Sequence, residues 1–271
     1  MRKIIEFYNK VQAGKKGSDL ERTSHDKIRK VLYLLEEKLH GILLDIGCGN
    51  GSITKLIAKR TNSEVIGIDI SINACKDSKA KGLQTLVCDA EMRLPFRNGS
   101  IDHIFAGSVI EHVFDVDSFL DEIKRVLKPH GYCMLTTSNL GWMPNRLLLL
   151  LGLNPIFTES SFRYDVSGFW AKKREDVAAG HLHLFTLRAL IKLLELNQLA
   201  VEEVIGSRIL EGAIIKRLGQ KGLKFKIFSL LDRLFCLFPS TSAELIVKLR
   251  KLKNGDRIEQ DEAFHNYPNS K

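Results

Sequence analysis

The chain has no apolar run long enough for a bilayer. Its leucine stretch, Leu147–Leu151, stops at Gly152 and Pro155, whereas a crossing helix needs about 20 such residues. No C-x-x-C pair occurs. The five cysteines, at 48, 75, 88, 133 and 236, are odd in number and scattered, which predicts reduced thiols in a cytoplasmic protein rather than a disulfide framework. Met1–Glu6 carries no secretory h-region,. Internal repeats are absent. What is present is ordinary for a soluble globular chain of 271 residues: 44% hydrophobic and 27% charged, enough to bury a substantial core in one elaborated domain or two. A formal net charge of +9 permits nucleic acid or anionic lipid as partner without demanding either.

The rest of the chain is organised around Leu43–Ser52. Leu43, Leu44, Asp45 and Ile46 read as the end of a buried strand. Gly47, Gly49 and Gly51 alternate, and Ser52–Arg60 has helical spacing, with Ile53, Leu56 and Ile57 on one face,. A strand turning through glycines into a helix start makes a notch in which a ligand touches backbone and its anionic end meets free N–H groups. The dinucleotide fingerprint needs its third glycine at relative position six; here that place is Ser52. A phosphate-binding Walker loop is excluded, because no Gly-Lys-Ser/Thr closes the turn. Asp45 would repel a pyrophosphate and suits a ligand carrying positive charge.

This stretch resembles motif I, Asp-x-Gly-x-Gly-x-Gly, of the class I S-adenosylmethionine (SAM)-dependent methyltransferases. SAM carries an ammonium and a sulfonium. The resemblance implies a three-layer α/β fold, a doubly wound sheet of about seven strands, mostly parallel with the last antiparallel, and SAM held by Asp45, Gly47, Gly49 and Gly51.

The succeeding segments keep the same order. Glu64–Ile70 is an apolar run ending in an acid, the second strand. Asp69, with Ile70, then stands where the family binds the ribose hydroxyls; the plain alternative is a cap for the helix starting at Ser71. Leu83–Cys88 is the third strand, and Asp89-Ala90 matches the family's adenine contact. The turn signal Asn98-Gly99 lies in Leu94–Asp102, which is similar to a segment of small-molecule methyltransferases of the ubiquinone-biosynthesis type. Ile101–Ala106 is the fourth strand. At its C-terminal end, on the crevice side of a parallel sheet, come Ser108, a cofactor contact by resemblance, and Glu111-His112. Asp117–Leu127 is a helix whose Glu122-x-x-Arg125 run and following Lys128-Pro129 resemble the family's, with His130 in place of a glycine, a residue tolerant of unusual turn geometry. Tyr132–Thr137 is the fifth strand, Leu199–Ile205 the sixth and Ala243–Leu249 the seventh.

Outside this frame the reading is open. Residues 1–40 form a helical cap, with Ser24 capping a helix to Leu39 striped by Ile28, Val31, Leu32 and Leu35; in the family such helices cover the cofactor. The main domain spans 41–250, and residues 252–271 are a polar, disordered tail. Residues 140–180 insert Trp142, Phe157, Phe162, Tyr164, Phe169 and Trp170. They suit a substrate lid or a satellite core. Thr186 caps a late helix. His181 and His183 share a face if extended, but a metal needs a third ligand and the neighbouring sequence offers none, so no metal is expected. In Lys216–Pro239, Leu223, Ile227, Leu230, Leu231, Leu234 and Phe238 keep helical spacing among basic residues. A core helix, a dimer contact and an interfacial membrane helix all fit, the core reading slightly ahead.

Methyl transfer from a sulfonium needs alignment and exclusion of water more than a large catalytic constellation. An oxygen or nitrogen acceptor also calls for a base. His112 is the first candidate, with His181, His183 and Tyr164 behind it. The expected activity is methylation of an O or N, less readily a C, of a small-molecule or lipid- or glycan-linked acceptor. An RNA or DNA methyltransferase is the alternative, disfavoured by Gly107–Ile110 where amino-methylating enzymes carry Asn/Asp-Pro-Pro-Tyr/Phe. A SAM-binding module without catalysis is another.

Overall fold

The computed structural model describes residues 25–35, 37, 39–161, 163–169, 172–173, 180–209 and 222–252. Residues 1–24 of the helical cap, Ser24 among them, with Phe162, Trp170, Lys216, Arg217, Lys221 and the tail beyond 252, lie outside them. One seven-stranded sheet carries the chain: β1 Ile42–Ile46, β2 Glu64–Asp69, β3 Gln84–Val87, β4 Ile101–Gly107, β5 Leu127–Ser138, β6 Leu199–Ser207 and β7 Glu244–Lys251. Their order is β3-β2-β1-β4-β5-β7-β6. The β1–β2, β1–β4, β2–β3 and β4–β5 pairs are parallel, while β7 runs antiparallel to both β5 and β6. This is the three-layer, doubly wound arrangement expected. Its order reverses between β1 and β4, which opens a crevice at the strands' C-terminal ends.

The helices are α1 His25–Leu34, α2 Ser52–Thr61, α3 Ile72–Ala80, α4 Val116–Val126, α5 Met143–Leu150, α6 Leu187–Leu196 and α7 Leu223–Phe235. Because β1 and β4 are buried on both faces, their residues are apolar almost throughout: Leu44, Ile46, Ile104 and Ala106 meet Phe119, Leu120 and Ile123 of α4 on one side. Leu43, Val65 and Phe105 meet Val31 and Ile57 on the other. Helix starts follow local chemistry. Ser71, Asp115 and Thr186 each accept the backbone N–H three residues on,.

Four expectations need correction. Helix α1 ends at Leu34 rather than Leu39, although Leu35 and Leu39 are still buried beyond it. Strand β5 begins at Leu127, five residues early, because Leu127 itself pairs with Ile101 before a bulge. His130 has no left-handed backbone; Gly131 is the constrained residue, since a Cβ there would lie 2.2 Å from the Asp102 carbonyl oxygen. In α7 the leucine face is not core. Leu223, Ile227, Leu230 and Leu234 are each at least half exposed. Phe228 and Asp232 face inward instead, Phe228 against Trp142 and Asp232 beside Arg208.

Candidate active site

The strand β1 ends in a loop whose glycines, 47, 49 and 51, all have positive φ, at 73°, 53° and 76°. Side chains would not fit: a Cβ on Gly47 would lie 2.6 Å from Val109, and one on Gly51 would lie 2.4 Å from the Ser78 hydroxyl,. Asp69, at the end of β2, clasps this loop. Its Oδ2 accepts the Gly49 N–H at 2.9 Å and its Oδ1 accepts the Ser71 N–H at 2.8 Å. Ser71, not Asp69, caps α3, accepting the Ala74 N–H. Ile70 is half-buried between them. Asp45 is 2% exposed and takes the Thr54 hydroxyl at 2.6 Å, tying β1 to α2.

The loop carries charges of both signs, since the Lys81 ammonium donates to the Asn50 carbonyl at 2.7 Å and to the Ser52 hydroxyl at 2.8 Å. Burial first, then the Asp45 and Asp69 carboxylates, push the Cys48 thiol far up. Burial and Asp69 push the Cys75 thiol up to about 11.

The ends of β3 and β4 complete the edge. The Cys88 N–H donates to the Asp69 carbonyl at 3.0 Å, so Asp89 and Ala90 lie beside the end of β2. Asp89 Oδ1 accepts the Glu91 N–H at 3.0 Å, and Ala90 is half-buried. Ser108 follows β4 with φ 54°. Its N–H meets the Thr136 carbonyl and hydroxyl at 3.0 and 3.1 Å. Here the sequence concealed a participant. Lys27 of α1 is 9% exposed, and its ammonium donates to Ser108 Oγ at 3.1 Å and to Glu244 Oε1 at 2.8 Å. Nothing local marks a lysine eighty-one residues away as part of this edge; only the packing of α1 brings it there.

Past Ser108 the chain reaches His112, whose Nδ1 donates to the Gly180 carbonyl at 3.1 Å. The His112 ring lies 4.9 Å from that of His181, and His181 Nδ1 donates to the Phe157 carbonyl at 3.0 Å. The Glu111 carbonyl accepts the N–H groups of Leu182 and His183 at 2.7 and 3.1 Å. Thus His112 and His181 converge, sixty-nine residues apart in sequence. His183 does not join them; its Nε2 meets the Phe114 carbonyl at 3.3 Å. Tyr164, in a two-stranded ribbon of Tyr164–Asp165 with Lys172–Lys173, is half exposed.

Residues 44–135 match the family model described as a methyltransferase domain. That match agrees with the strand order and the glycine edge. Residues 44–135 carry a class I SAM-dependent methyltransferase domain. Among curated proteins, it is 31% identical over 126 residues to the 18S rRNA (guanine-N(7))-methyltransferase bud23 of Schizosaccharomyces pombe, covering 45% of this chain and 47% of that one. It is 30% identical over 175 residues to the mitochondrial ubiquinone biosynthesis O-methyltransferase of Homo sapiens, covering 60% and 42%. The chain therefore spans less than half the length of these relatives. Among solved structures, the YcgJ protein of Bacillus subtilis superposes with a TM-score of 0.56 at 20% identity, over 84% of this chain and 99% of that one. The methyltransferase of a Haloferax volcanii complex with the Trm112 activator gives 0.57 at 14%, over 83% and 88%. These two likenesses concern the fold.

SAM is the cofactor of the family, and the edge of this methyltransferase domain fits it on electrostatic grounds. The glycine loop lies in a field made by Asp45 and Asp69, suited to an ammonium and a sulfonium.

Proposed function

We propose that the protein transfers the SAM methyl group to a nucleophilic oxygen or nitrogen of a small-molecule or lipid- or glycan-linked acceptor. The observation that carries this reading is the convergence of His112 and His181 just past the end of β4, next to the strand ends that carry the family's cofactor positions. A carbonyl can only accept, so the Nδ1–H of His112 points to Gly180 and Nε2 is the basic nitrogen,. In this reading Asp69 and Ile70 hold the ribose, Asp89 and Ala90 the adenine, and the glycine loop with Ser108 the amino-acid end. His112 accepts the acceptor's proton as its lone pair attacks the methyl carbon in line with the departing sulfur. Alignment alone supplies roughly 7–11 kcal/mol in favourable cases.

A lipid-linked acceptor is favoured by the exposed face of α7. Leu223, Ile227, Leu230 and Leu234 stand in solvent on a helix that also exposes Lys226 and Arg233, and Leu237 and Phe238 are exposed just beyond its end. An apolar stripe with cationic flanks suits the surface of an anionic bilayer. Among the described residues no helix is long and apolar enough to cross a membrane. Relatives that act on RNA, such as the rRNA methyltransferase above, support RNA as the second reading, with the net charge of +9 behind it.

Calorimetry with SAM and S-adenosylhomocysteine, NAD serving as control, tests the cofactor. Asp69→Ala should weaken binding at least about tenfold, since each hydrogen bond to a charged acceptor contributes roughly 1.5–3 kcal/mol. Wild type that binds neither ligand would sink the reading. Methyl transfer from labelled SAM to lipid extract or to RNA then separates the acceptors, and His112→Ala should lower turnover far more than SAM affinity.

A further inference from the structure

Three segments distant in sequence are lashed together at the mouth of this site. Glu159 accepts the N–H groups of Gly180 and His181. The Glu111 carbonyl accepts those of Leu182 and His183. The carbonyls of Gly180 and Phe157 hold the Nδ1 positions of His112 and His181. Both imidazoles are thereby fixed in the tautomer whose Nε2 can ligate. A backbone carbonyl behind a histidine is the second-shell support usual at metal ligands, fixing the ring's orientation.

The Glu111 side chain lies in the same place. The residue is 1% exposed, and among the described residues its Oε2 is buried without a hydrogen-bond partner. A buried carboxylate oxygen left in this way is costly unless a cation or donor meets it. The ligand atoms offered by Glu111, His112 and His181 lie within 4.8 Å of one another.

We infer that Glu111, His112 and His181 form a binding site for one divalent transition-metal ion of the Zn2+ type, with coordination positions open toward the acceptor. Two imidazoles and one carboxylate are the donor set of catalytic zinc sites, which keep a fourth position for water or substrate. Metal–ligand bonds of about 2.0–2.2 Å require the three atoms to draw in on the ion. The role of the ion rests on the methyltransferase reading above. With the ion bound, His112 Nε2 is a ligand and no longer takes the proton itself; an acceptor oxygen in the open position loses its proton to solvent more readily. Its lone pair then forms the C–O bond to the methyl carbon, and the C–S electrons return to sulfur, leaving the neutral thioether. The sequence hides this site because the third ligand lies seventy residues from the first two.

The test uses the full-length protein stripped with chelator and titrated with Zn2+ by competition calorimetry, and with Co2+ followed by visible absorption. The expected result is one ion per chain, with Co2+ bands of a four- or five-coordinate nitrogen–oxygen site. Glu111→Gln and His181→Ala should each weaken binding at least about tenfold, while His183→Ala leaves it unchanged. His181 is the less buried of the two, so its variant keeps the test valid if Glu111→Gln does not fold. Failure to bind an ion, equal affinity in all variants, or sulfur-to-cobalt charge-transfer bands from the cysteines would each overturn the inference. SAM calorimetry on the same samples separates the two readings. SAM binding without metal binding removes the metal site alone, whereas metal binding without SAM binding removes the methyltransferase reading and leaves the site standing.

Discussion

The cofactor edge of the sheet and the cap formed by α5 and α7 are built on opposite terms. At the edge, the glycine loop is set by residues close in sequence: β1 turns through Gly47, Gly49 and Gly51 straight into α2, and Asp69 reaches back twenty residues to hold it. In the cap, contacts come from far away. Trp142, 1% exposed, packs on Phe157 and Phe228. Asn139 Nδ2 donates to the Ser242 carbonyl at 2.7 Å, and Arg146 to that of Ser240 at 2.8 Å. The cap's apolar surface is turned outward, with Leu147, Leu149, Leu150 and Leu151 of the α5 region exposed like the leucines of α7. A sheet core buries what its alternation dictates; a helix laid on the outside buries whichever face its anchors allow.

The sharpest way to break this contrast is to remove the cap's anchor. Trp142→Ala should cost about 3–5 kcal/mol, read by thermal or denaturant unfolding, while SAM affinity of the folded protein changes less than about twofold. A SAM site lost in parallel would mean that edge and cap are one cooperative unit. The converse change, Gly51→Val, places a branched side chain at φ 76° against Ser78 and Leu83. It should cost roughly 2–4 kcal/mol and abolish SAM binding together with stability.

A smaller effect sits between the regions, where the Leu94–Asn98 turn is pinned to α4. Arg125 forms a two-pronged pair with Glu122, both contacts at 2.6 Å, and also donates to the carbonyls of Leu94 and Phe96. The Arg125 guanidinium, helped by the Leu94 N–H, holds the Glu122 carboxyl below its ordinary 4.5. A depressed folded-state value contributes stability that is present above 4.5 and is lost as pH falls from there through the folded value. Glu122→Gln should therefore cost about 1 kcal/mol near neutrality and flatten the acid limb of the melting curve below pH 4.5. An unchanged acid limb would show that this pair is not what the acid breaks.

The least effect on stability is expected from Leu230→Ser with Leu234→Ser. Both side chains are at least half exposed, so unfolding should move by no more than about 0.5 kcal/mol. Sedimentation with vesicles rich in anionic lipid should fall severalfold. A large loss of stability would mean that the face is covered in the folded protein.

How much was legible follows the same division. Strands β1, β2 and β4 were readable because a central strand covered on both faces is largely apolar, and a glycine loop with an acid after the next strand is a local pattern. Lys27 and Glu111 escaped, since a lysine in a helix and a glutamate after a strand look like solvated residues until something distant buries them. The α7 stripe misled for a related reason: helical spacing tells which residues share a face, never which way that face turns.

By itself, then, the amino-acid order determined the doubly wound sheet, the glycine notch and its acidic surroundings, because those depend on backbone conformation and on residues close along the chain. Only the tertiary structure decided that His181 meets Glu111 and His112, that Lys27 reaches Ser108 and that the leucines of α7 face outward. Each depends on how separate segments pack, which is a property of shape complementarity between distant surfaces and leaves no periodic trace in either one.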